Sequence, residues 1–265
     1  MKSRVVVITG GTSGIGRALC DCFAKANYQI VLAARSEDKL KKVQKELSLT
    51  GTQILVVKTD VRLEEDCKNL AAETINCYGQ IDVLINNAGI TWYESDNDGI
   101  NISKQRDLID TNFFGTVNCT KHMLPHLLDT KGSLVGVCSI AGEVGLPNRS
   151  AYSSSKFAMN GFLSSLRVQH IKKGLHVLVV FSGYTSTNIR KSAIKDCNSS
   201  GFPPGYGGDV MESNMLSAED TARHIFNGVK YRKRALRPTF VGKVTVLLNK
   251  LIPHLNDRLL HKYYK

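Results

Sequence analysis

The segment from Val5 to Gly16, VVVITGGTSGIG, constrains the fold more than any other part of the chain. Val5 to Ile8 form a run of apolar, mostly β-branched residues, which is typical of a strand buried on both faces. Glycines at positions 10, 11, 14 and 16 then permit a sharp turn into a helix that begins near Ile15. The segment therefore predicts a strand, a tight turn and a helix.

This turn has the properties of a phosphate-binding loop. The free N–H groups and the positive dipole end of a helix N-terminus attract anions, and glycine lets a dinucleotide pyrophosphate approach without meeting a Cβ. A glycine-rich turn alone is a weak signal, and an ordinary strand-to-helix connection is the alternative. Its place after an N-terminal strand favours a dinucleotide site, whose candidate residues are Gly10, Thr12, Ser13, Gly14, Ile15 and Gly16.

Strands and helices are predicted to alternate along the chain as far as residue 183. Apolar segments indicate further strands near 28–34, 53–61, 81–90, 132–139 and 175–183, and the intervening periodic segments indicate helices near 36–47, 63–78, 103–128 and 150–171. This alternation is typical of parallel sheets with right-handed crossovers. We predict an α/β fold: a Rossmann-type, doubly wound, mainly seven-stranded parallel sheet with helices on both faces.

Length and composition predict a single domain over residues 1–265. The sequence has no apolar run of about eighteen residues, and its N-terminus enters a strand without the apolar region of a signal peptide. The seven cysteines include no CxxC pair, which indicates reduced thiols that fill the core. We therefore expect a cytoplasmic protein, with the membrane-surface contact discussed below as an alternative.

Arg35 ends the second predicted strand, where dinucleotide-binding folds discriminate between their cofactors. An acid about twenty residues beyond the glycines binds a ribose 2′-OH, whereas an arginine accommodates a 2′-phosphate. This favours NADP(H) over NAD(H), although a solvated surface arginine would look the same. Arg17 adds positive charge beside the turn, and Asp60 and Val61 end the third strand where side chains can reach the adenine.

A zinc site is the alternative role of His122 and His126. Two histidines four residues apart on a helix can hold zinc. Pro125 lies between them and the sequence offers no evident third ligand, so we favour a structural or surface role. We predict no metal site.

Several polar motifs follow in a fixed order. They are Asn86-Asn87-Ala88-Gly89, Asn112, Ser139, and Tyr152 with Lys156. With Thr9 to Gly16, their order and separations closely resemble the short-chain dehydrogenase/reductase family over about the first 190 residues. One departure concerns the turn after the sixth strand, where the Pro-Gly of the family is replaced by Ser182-Gly183.

The resemblance implies hydride transfer between a nicotinamide and a carbonyl or alcohol carbon. It implies that Ser139 positions the substrate oxygen, that Tyr152 gives or takes the proton and that Asn112 holds a water of a proton relay. It implies that Lys156 also binds the nicotinamide ribose. Tyr152, Asn87 and Thr185 are further candidate cofactor-binding residues. It further implies a homodimer or homotetramer, paired through the long helices that carry Asn112 and Tyr152.

The spacing of Tyr152 and Lys156 suits proton transfer independently of the resemblance. Residues at i and i+4 share one helix face. A free tyrosine has a pKa of about 10, and a neighbouring ammonium favours the phenolate. This spacing alone would more commonly reflect a tyrosine and a lysine on the surface of a helix. Because Ser139 and Asn112 are present at the separations typical of the family, we favour the catalytic interpretation.

Residues 184–216 carry little periodic apolar pattern, and we interpret them as a substrate lid beside the nicotinamide. Some apolar residues of this segment are candidates to line a substrate pocket, with ordinary packing as the alternative: Ile194, Phe202, Tyr206, Met211 and Met215.

The net charge of +12 is concentrated near the C-terminus. Residues 223–265 contain eleven lysines and arginines against one acid, Asp257, which gives +10. Residues 242–265 form a basic amphipathic segment that Pro253 is expected to kink or divide. Such a segment can lie on an anionic membrane or pack against the fold or a partner subunit, and both remain open. Its predicted apolar stripe consists of Val244, Leu248, Leu251, Leu255 and Leu259.

Together these features predict an NADPH-dependent oxidoreductase for a lipophilic ketone, aldehyde or secondary alcohol, such as a steroid-, retinoid-, sphingoid- or acyl-like compound. Sugar-nucleotide epimerases share the cofactor fold, but their larger C-terminal domain does not fit this length. A non-catalytic NADP(H)-binding protein, or one that binds membrane or nucleic acid through the tail, is the other alternative. We expect no nucleic acid, because aromatic residues do not interleave with the basic ones before Tyr263-Tyr264.

Overall fold

A seven-stranded, fully parallel sheet forms the centre of the protein. The computed structural model describes residues 3–94, 100–183, 185 and 215–264. The strand order is β3-β2-β1-β4-β5-β6-β7, which confirms the predicted doubly wound, Rossmann-type fold. The strands are β1 (Val5–Thr9), β2 (Gln29–Ala34), β3 (Ile54–Lys58), β4 (Val83–Asn86), β5 (Ser133–Ser139), β6 (His176–Ser182) and β7 (Ala235–Leu236).

Helices cover both faces of the sheet. One face packs against α1, α2 and α7, and the other against α3, α5, α6 and α8. Each face buries its own apolar cluster, because strands buried on both sides point alternate side chains to opposite layers. The helices are α1 (Gly14–Lys25), α2 (Glu37–Ser48), α3 (Glu64–Tyr78), α4 (Ile102–Leu108), α5 (Gly115–Asp129), α6 (Ser150–Gln169), α7 (Ala218–Lys230), α8 (Phe240–Leu251) and α9 (Pro253–Tyr264).

The order of the strands reverses between β1 and β4. β1 pairs with β2 on one side and with β4 on the other, so the chain winds outward in both directions from this point. The loops that follow β1 and β4 diverge there and leave a crevice at the carboxyl ends of the strands. The glycine turn follows β1 and Asn87 follows β4, so both predicted motifs lie at the crevice.

The helix predicted over residues 103–128 is present as one continuous helical run from Ile102 to Asp129, but it is not α-helical throughout. The segment contains α4 and α5, joined by a π-helical turn at Ile109–Phe114. A π-helical turn widens the hydrogen-bonded ring by one residue and re-aims the side chains within it. Apolar periodicity cannot reveal such a turn, because the helical pattern continues through it. Asn112 lies in this turn.

The seventh strand was not located by the sequence pattern. β7 has two residues, and Val179 and Val180 of β6 pair with them. It follows a basic run, and two residues are too few to show a strand pattern.

Pro253 divides the C-terminal segment into two helices, which is one of the two outcomes that the sequence predicted. α8 ends at Leu251 and α9 begins at Pro253. Four members of the predicted apolar stripe are exposed, whereas Leu248 is half-buried. In the described part of the chain, no helix has the length and apolar character that crossing a bilayer requires.

Most of the predicted lid lies outside the described residues. Ile194, Phe202, Tyr206 and Met211 are among those outside. Met215 is described and half-buried, and it does not line the cavity described below.

His176 at the start of β6 is a buried histidine held in its neutral form. Its Nε2 lies 2.9 Å from the Lys233 carbonyl oxygen, and its Nδ1 lies 2.9 Å from the Ser133 Oγ. Nε2–H therefore donates to the carbonyl, and Nδ1 accepts from the hydroxyl. Burial lowers the pKa of His176, and the nearby Arg232 acts in the same direction.

We predict that His176 makes the protein less stable in mild acid. Because the pKa is lowered by folding, the unfolded chain takes up the proton first, so stability declines as pH falls below about 6.5. His176→Gln should reduce the slope of unfolding free energy against pH between pH 7.5 and 5.5, measured by urea denaturation. Identical slopes for the two proteins would contradict this assignment.

Candidate active site

A cavity of about 880 Å³ opens at the carboxyl ends of the strands. It extends from the glycine turn to α6, and three of the four predicted catalytic residues line it: Ser139, Tyr152 and Lys156. Gly16 and Asn112 are not among the lining residues. The predicted cofactor-contacting residues along its wall, besides Tyr152 and Lys156, are Gly10, Thr12, Ser13, Gly14, Ile15, Arg35, Asp60, Val61, Asn87 and Thr185.

The glycine turn requires glycine for two different reasons. Gly10 has φ +65° and Gly14 has φ +52°, a backbone region that favours glycine. Gly16 is instead required by close packing, because a Cβ there would lie 2.4 Å from the Gly10 carbonyl oxygen. Gly16 therefore shapes the turn from behind and does not contact the cavity.

Hydrogen bonds tie the glycine turn to the end of β4. The Thr9 Oγ1 accepts from the backbone N–H groups of Asn87 and Ala88, both at 3.0 Å. The Asn87 Nδ2 donates to the carbonyl oxygens of Thr9 at 2.9 Å and Gly10 at 3.1 Å. Asn87 is thus a structural tie for the turn as well as a residue of the cavity wall.

The N-terminus of α1 opens into the cavity. Ser13 precedes the helix in an extended conformation and makes no side-chain capping bond, and the first turn carries no acidic residue. Gly14 and Ile15 line the cavity beside it. An uncapped helix N-terminus of this kind is an anion site, and the glycine turn leaves room for a pyrophosphate.

Positive charge lines the cavity at the end of β2. Arg35 is exposed and lines the wall with Ser36 and Lys39 at the start of α2. Asp60, the nearby acid, is bound by Arg62, whose hydrogen bonds lower the pKa of that carboxyl. Because Arg62 already neutralises Asp60, Arg35 keeps its charge available to a ligand.

Arg17 does not supply charge to this region as the sequence suggested. Its guanidinium forms ion pairs with Asp21 at 2.5 Å and with Glu46 at 3.2 Å, and it does not line the cavity. These ion pairs hold the Arg17 guanidinium between α1 and α2, away from the cavity.

Asn112 is a positioning residue in this structure. It is fully buried, its Oδ1 accepts from the Ile90 N–H at 2.8 Å, and its Nδ2 donates to the Ile90 carbonyl at 3.0 Å. Its Nδ2 also donates to the Ser155 Oγ at 2.9 Å. Asn112 does not line the cavity, and its expected role of holding a water of a proton relay stays a prediction. Its side chain instead joins the loop after β4 to the helix that carries Tyr152.

Lys156 carries a nearly buried ammonium at the cavity wall. Only 5% of the residue is exposed, and its Nζ donates to the Val137 carbonyl at 3.0 Å. Among the described residues no carboxylate forms an ion pair with it. Holding a buried cation without an anion is costly, which is typical of a site that binds one.

Tyr152 lies between two cations. The Lys156 Nζ is 5.7 Å from the centroid of its ring, and the Arg149 Cζ is 5.6 Å from the same centroid. The ring packs with Trp92 and Leu108 in an apolar cluster. The partly buried phenol ring of Tyr152 therefore has both apolar and positively charged neighbours.

Ser139 ends β5 beside this pair. Its Oγ accepts from the Ala141 N–H at 3.2 Å, so its hydroxyl proton remains available for a second bond. The neighbouring Cys138 thiol also lines the cavity, but burial raises its pKa to about 11. Ser139, rather than the thiol, is the polar group suited to a substrate oxygen here.

Ser182 stands where the family has proline, and its hydroxyl bonds to the cavity floor. The Ser182 Oγ donates to the Cys138 carbonyl at 3.0 Å. Gly183 is confined beyond it, since a Cβ there would lie 2.5 Å from the Thr239 Oγ1. These contacts hold the turn without proline. Thr185, next to the undescribed Tyr184, bridges to Leu216.

The sequence analysis missed a group at the Tyr152 end of the cavity, made of Trp92, Tyr93 and Arg149. All three line the cavity and are at least nine-tenths buried. The Arg149 Cζ stacks 4.1 Å from the centroid of the Tyr93 ring. The signal was present, because two aromatic residues closely follow Asn87 and the arginine precedes the helix of Tyr152.

His122 has a partner other than a metal. Its Nε2 lies 3.2 Å from the Glu64 Oε1, which also binds Lys121. The part of the chain that the structure describes holds no group of three potential metal ligands.

Comparison with known proteins assigns the family. The family model described as "short chain dehydrogenase" matches residues 4–198. The chain belongs to the short-chain dehydrogenase family. This match spans the glycine turn, Tyr152 and Lys156.

Relatives of this short-chain dehydrogenase extend beyond the matched segment. "Dehydrogenase/reductase SDR family member 7B" of Mus musculus is 34% identical over 267 residues, which cover 98% of this chain and 81% of that protein. "11-beta-hydroxysteroid dehydrogenase-like 4A" of Arabidopsis thaliana is 40% identical over 185 residues, 69% of this chain and 61% of that protein.

Solved structures share the fold at low identity. A short-chain dehydrogenase/reductase from Burkholderia phymatum in complex with NAD superimposes with a TM-score of 0.84 at 22% identity, covering 96% of this chain and 95% of that one. An alcohol dehydrogenase from the archaeon Thermococcus sibiricus, complexed with 5-hydroxy-NADP, gives 0.77 at 22% identity, covering 90% and 96%. At this identity the likeness concerns the fold.

We predict that Gly16→Ala distorts the turn from behind. The added methyl would meet the Gly10 carbonyl, so we expect a loss of about 1–3 kcal/mol in unfolding free energy and weaker dinucleotide binding. Denaturant unfolding and fluorescence titration with NADPH measure the two effects.

Gly161→Ala is the matched control. Gly161 lies in α6 with no atom within 4 Å of an added Cβ, so the same change should stabilise the helix by roughly 0.5–1 kcal/mol. A Gly16→Ala protein as stable and as tight-binding as wild type would contradict the packing argument.

Proposed function

We propose that this protein is an NADP(H)-dependent oxidoreductase that interconverts the carbonyl and secondary alcohol of a lipophilic small molecule. The observation that carries the proposal is that Ser139, Tyr152 and Lys156 line the same cavity as the glycine turn. Family membership supports the oxidoreductase class. The catalytic roles, the preferred cofactor and the substrate class are the proposed part.

The proposed cofactor, a nicotinamide dinucleotide, would lie along the cavity from the glycine turn to α6. The glycine turn and the N-terminus of α1 would hold the pyrophosphate, and the buried Lys156 would hold the far ribose. When bound, the nicotinamide gives or accepts the hydride. The two solved neighbours were obtained with NAD and with a modified NADP, so the preference must come from this chain's own residues.

The preference for NADP(H) is supported by Arg35. It lines the cavity beside Ser36 and Lys39, at the start of α2. A 2′-phosphate would meet a guanidinium, a second cation and the positive end of a helix. Position 35 carries no acid that would repel this phosphate, and the nearby Asp60 forms an ion pair with Arg62.

Tyr152 is the proposed proton donor in the reduction. Its phenol would protonate the oxygen of the carbonyl, and Ser139 would donate a hydrogen bond to the same oxygen. Negative charge then develops on the phenol oxygen, and the Lys156 ammonium stabilises that charge in a site poor in water. In the oxidation, the same groups act in the opposite sense.

A lipophilic substrate fits the walls around Tyr152. Ile90, Trp92 and Leu108 form an apolar cluster around its ring, and they also line the cavity. The printed name of the Arabidopsis relative refers to a hydroxysteroid dehydrogenase, which is one such class. We propose a steroid-, retinoid-, sphingoid- or acyl-like ketone or its alcohol.

The Tyr152→Phe variant tests the reaction. Removing the hydroxyl should retain NADPH binding and lower the turnover number by about 10²- to 10⁴-fold, because general acid catalysis contributes that much. The measurement is a screen of lipophilic ketones, followed by the absorbance of NADPH, with binding measured separately by fluorescence.

Tyr231→Phe is the control, since Tyr231 is exposed and does not line the cavity. It should leave turnover unchanged. Near-normal turnover in Tyr152→Phe would reject the mechanism, whereas NADPH binding with no turnover of any ketone or alcohol would favour a non-catalytic binding protein.

Arg35→Asp tests the cofactor preference. We expect the wild type to bind NADPH more tightly than NADH, and the variant to reduce or invert this difference by roughly tenfold or more, since a charged hydrogen bond is lost. Both affinities are measured by fluorescence titration at fixed salt. Lys45→Asp, an exposed change on the same α2 away from the cavity, should leave the ratio unaltered. Equal wild-type affinities would count against NADP(H).

A further inference from the structure

The last two helices expose apolar side chains that the fold does not use. On α8, residues Phe240, Val244, Leu247 and Leu251 recur at spacings of four, three and four, so they share one side of the helix. Their exposure ranges from 37% for Val244 to 79% for Phe240. The buried residue Val246 lies two positions from Val244, about 200° around the axis. The stripe therefore faces away from the core.

α9 repeats this arrangement. Ile252, which joins the two helices, is followed on α9 by Leu255 and Leu259 at spacings of three and four, and each of the three is between 42% and 51% exposed. Other residues of α9 pack this helix against the rest of the protein. The Asn256 Nδ2 donates to the Asn249 Oδ1 of α8 at 3.2 Å, and Asn256 itself is buried.

Basic residues flank both stripes. Lys243 and Lys250 lie four residues before and three residues after Leu247, and both are exposed. Arg258 and Lys262 are three residues after Leu255 and Leu259, and are exposed as well. Residues three or four apart are neighbours on a helix surface, so each stripe is bordered by positive charge.

We propose that this C-terminal surface, the two exposed stripes of α8 and α9 with their four flanking cations, docks onto an anionic membrane. The helices would lie in the interface, with apolar side chains among the acyl chains and the cations at the headgroups. No described helix is suited to crossing the bilayer. A basic amphipathic pair instead suits binding along its plane.

Charge decides between a membrane and a second copy of the chain. Across α8 and α9, four lysines and arginines stand against one acid, Asp257, which gives +3, so a symmetric contact through this surface would bring two positive surfaces together. An anionic lipid surface instead attracts each of them. The family resemblance also assigns subunit pairing to other helices, those of Asn112 and Tyr152.

The C-terminal surface adjoins the candidate active site. Tyr264, at the end of α9, is buried in a cluster with Tyr93, which lines the cavity. Gly242 of α8 packs on Ile140, next to Ser139. Docking would hold the cavity close to a lipid phase from which a lipophilic substrate partitions. That consequence rests on the proposed function, but the docking itself does not.

Vesicle sedimentation tests the docking without measuring turnover. The full chain should pellet with phosphatidylcholine vesicles containing 30% phosphatidylglycerol at low salt, and pellet weakly with pure phosphatidylcholine. Binding should decline with added salt, because salt screens the cations. The double change Lys243→Gln with Lys250→Gln should weaken the partition coefficient by about fivefold for each lysine.

Two further variants separate the apolar contribution from folding defects. Leu247→Glu should abolish vesicle binding while leaving the denaturation midpoint near that of wild type, because the residue is exposed. Lys172→Gln with Lys173→Gln, a matched pair of exposed lysines outside the surface, should bind as wild type does.

Three results would overturn the proposal. The first is that the wild type does not pellet with anionic vesicles at low salt. The second is that the Leu247→Glu protein pellets as much as wild type. The third is that the control changes at Lys172 and Lys173 reduce pelleting as much as the changes at Lys243 and Lys250. A subunit assembly that light scattering shows to be dissociated by Leu247→Glu, with no vesicle binding by wild type, would assign the surface to a second copy instead. Each outcome is independent of catalysis, so failure of the proposed function is recognised separately.

Discussion

The hydrogen bonds of Thr9 hold together the two strand ends on which the site depends. Its hydroxyl accepts from the backbone after β4, while Asn87 donates back to the carbonyls of the glycine turn. Parallel strands alone would leave these two loops free to separate at the point where the strand order reverses. With the loops joined, the glycine turn has a rigid wall, and a ligand can be held between the turn and α6.

Buried positive charge is the second organising feature. Lys156 and Arg149 are at least nine-tenths buried, and their charged groups lie 5.7 Å and 5.6 Å from the centroid of the Tyr152 ring. Among the described residues no carboxylate forms an ion pair with Lys156, and a buried cation without an anion raises the free energy of the folded protein. In the proposed reaction, the negative charge that develops on the Tyr152 oxygen would supply this anion.

The two sides of α8 have different surroundings. α8 contributes Val246 to the main core and Gly242 to the wall behind Ser139, while its other side exposes a stripe bordered by lysines. An amphipathic pattern read from sequence reports apolar residues without saying which side the core takes. Leu248, expected in the stripe, is half-buried, whereas Phe240 and Leu247 are exposed.

The sequence by itself determined the fold class, the order of most strands and helices, and the candidate site. Buried parallel strands, positive-φ glycines and the Tyr152–Lys156 spacing each impose a local requirement that residue types reveal directly. Tertiary structure alone decided three features of the site. The π-helical turn places Asn112 where its side chain joins a loop to a helix, and Arg17 forms ion pairs with Asp21 and Glu46. The third feature is the stacking of Arg149 on Tyr93. These depend on which side chains meet across distant segments, and local pattern carries no information about such meetings.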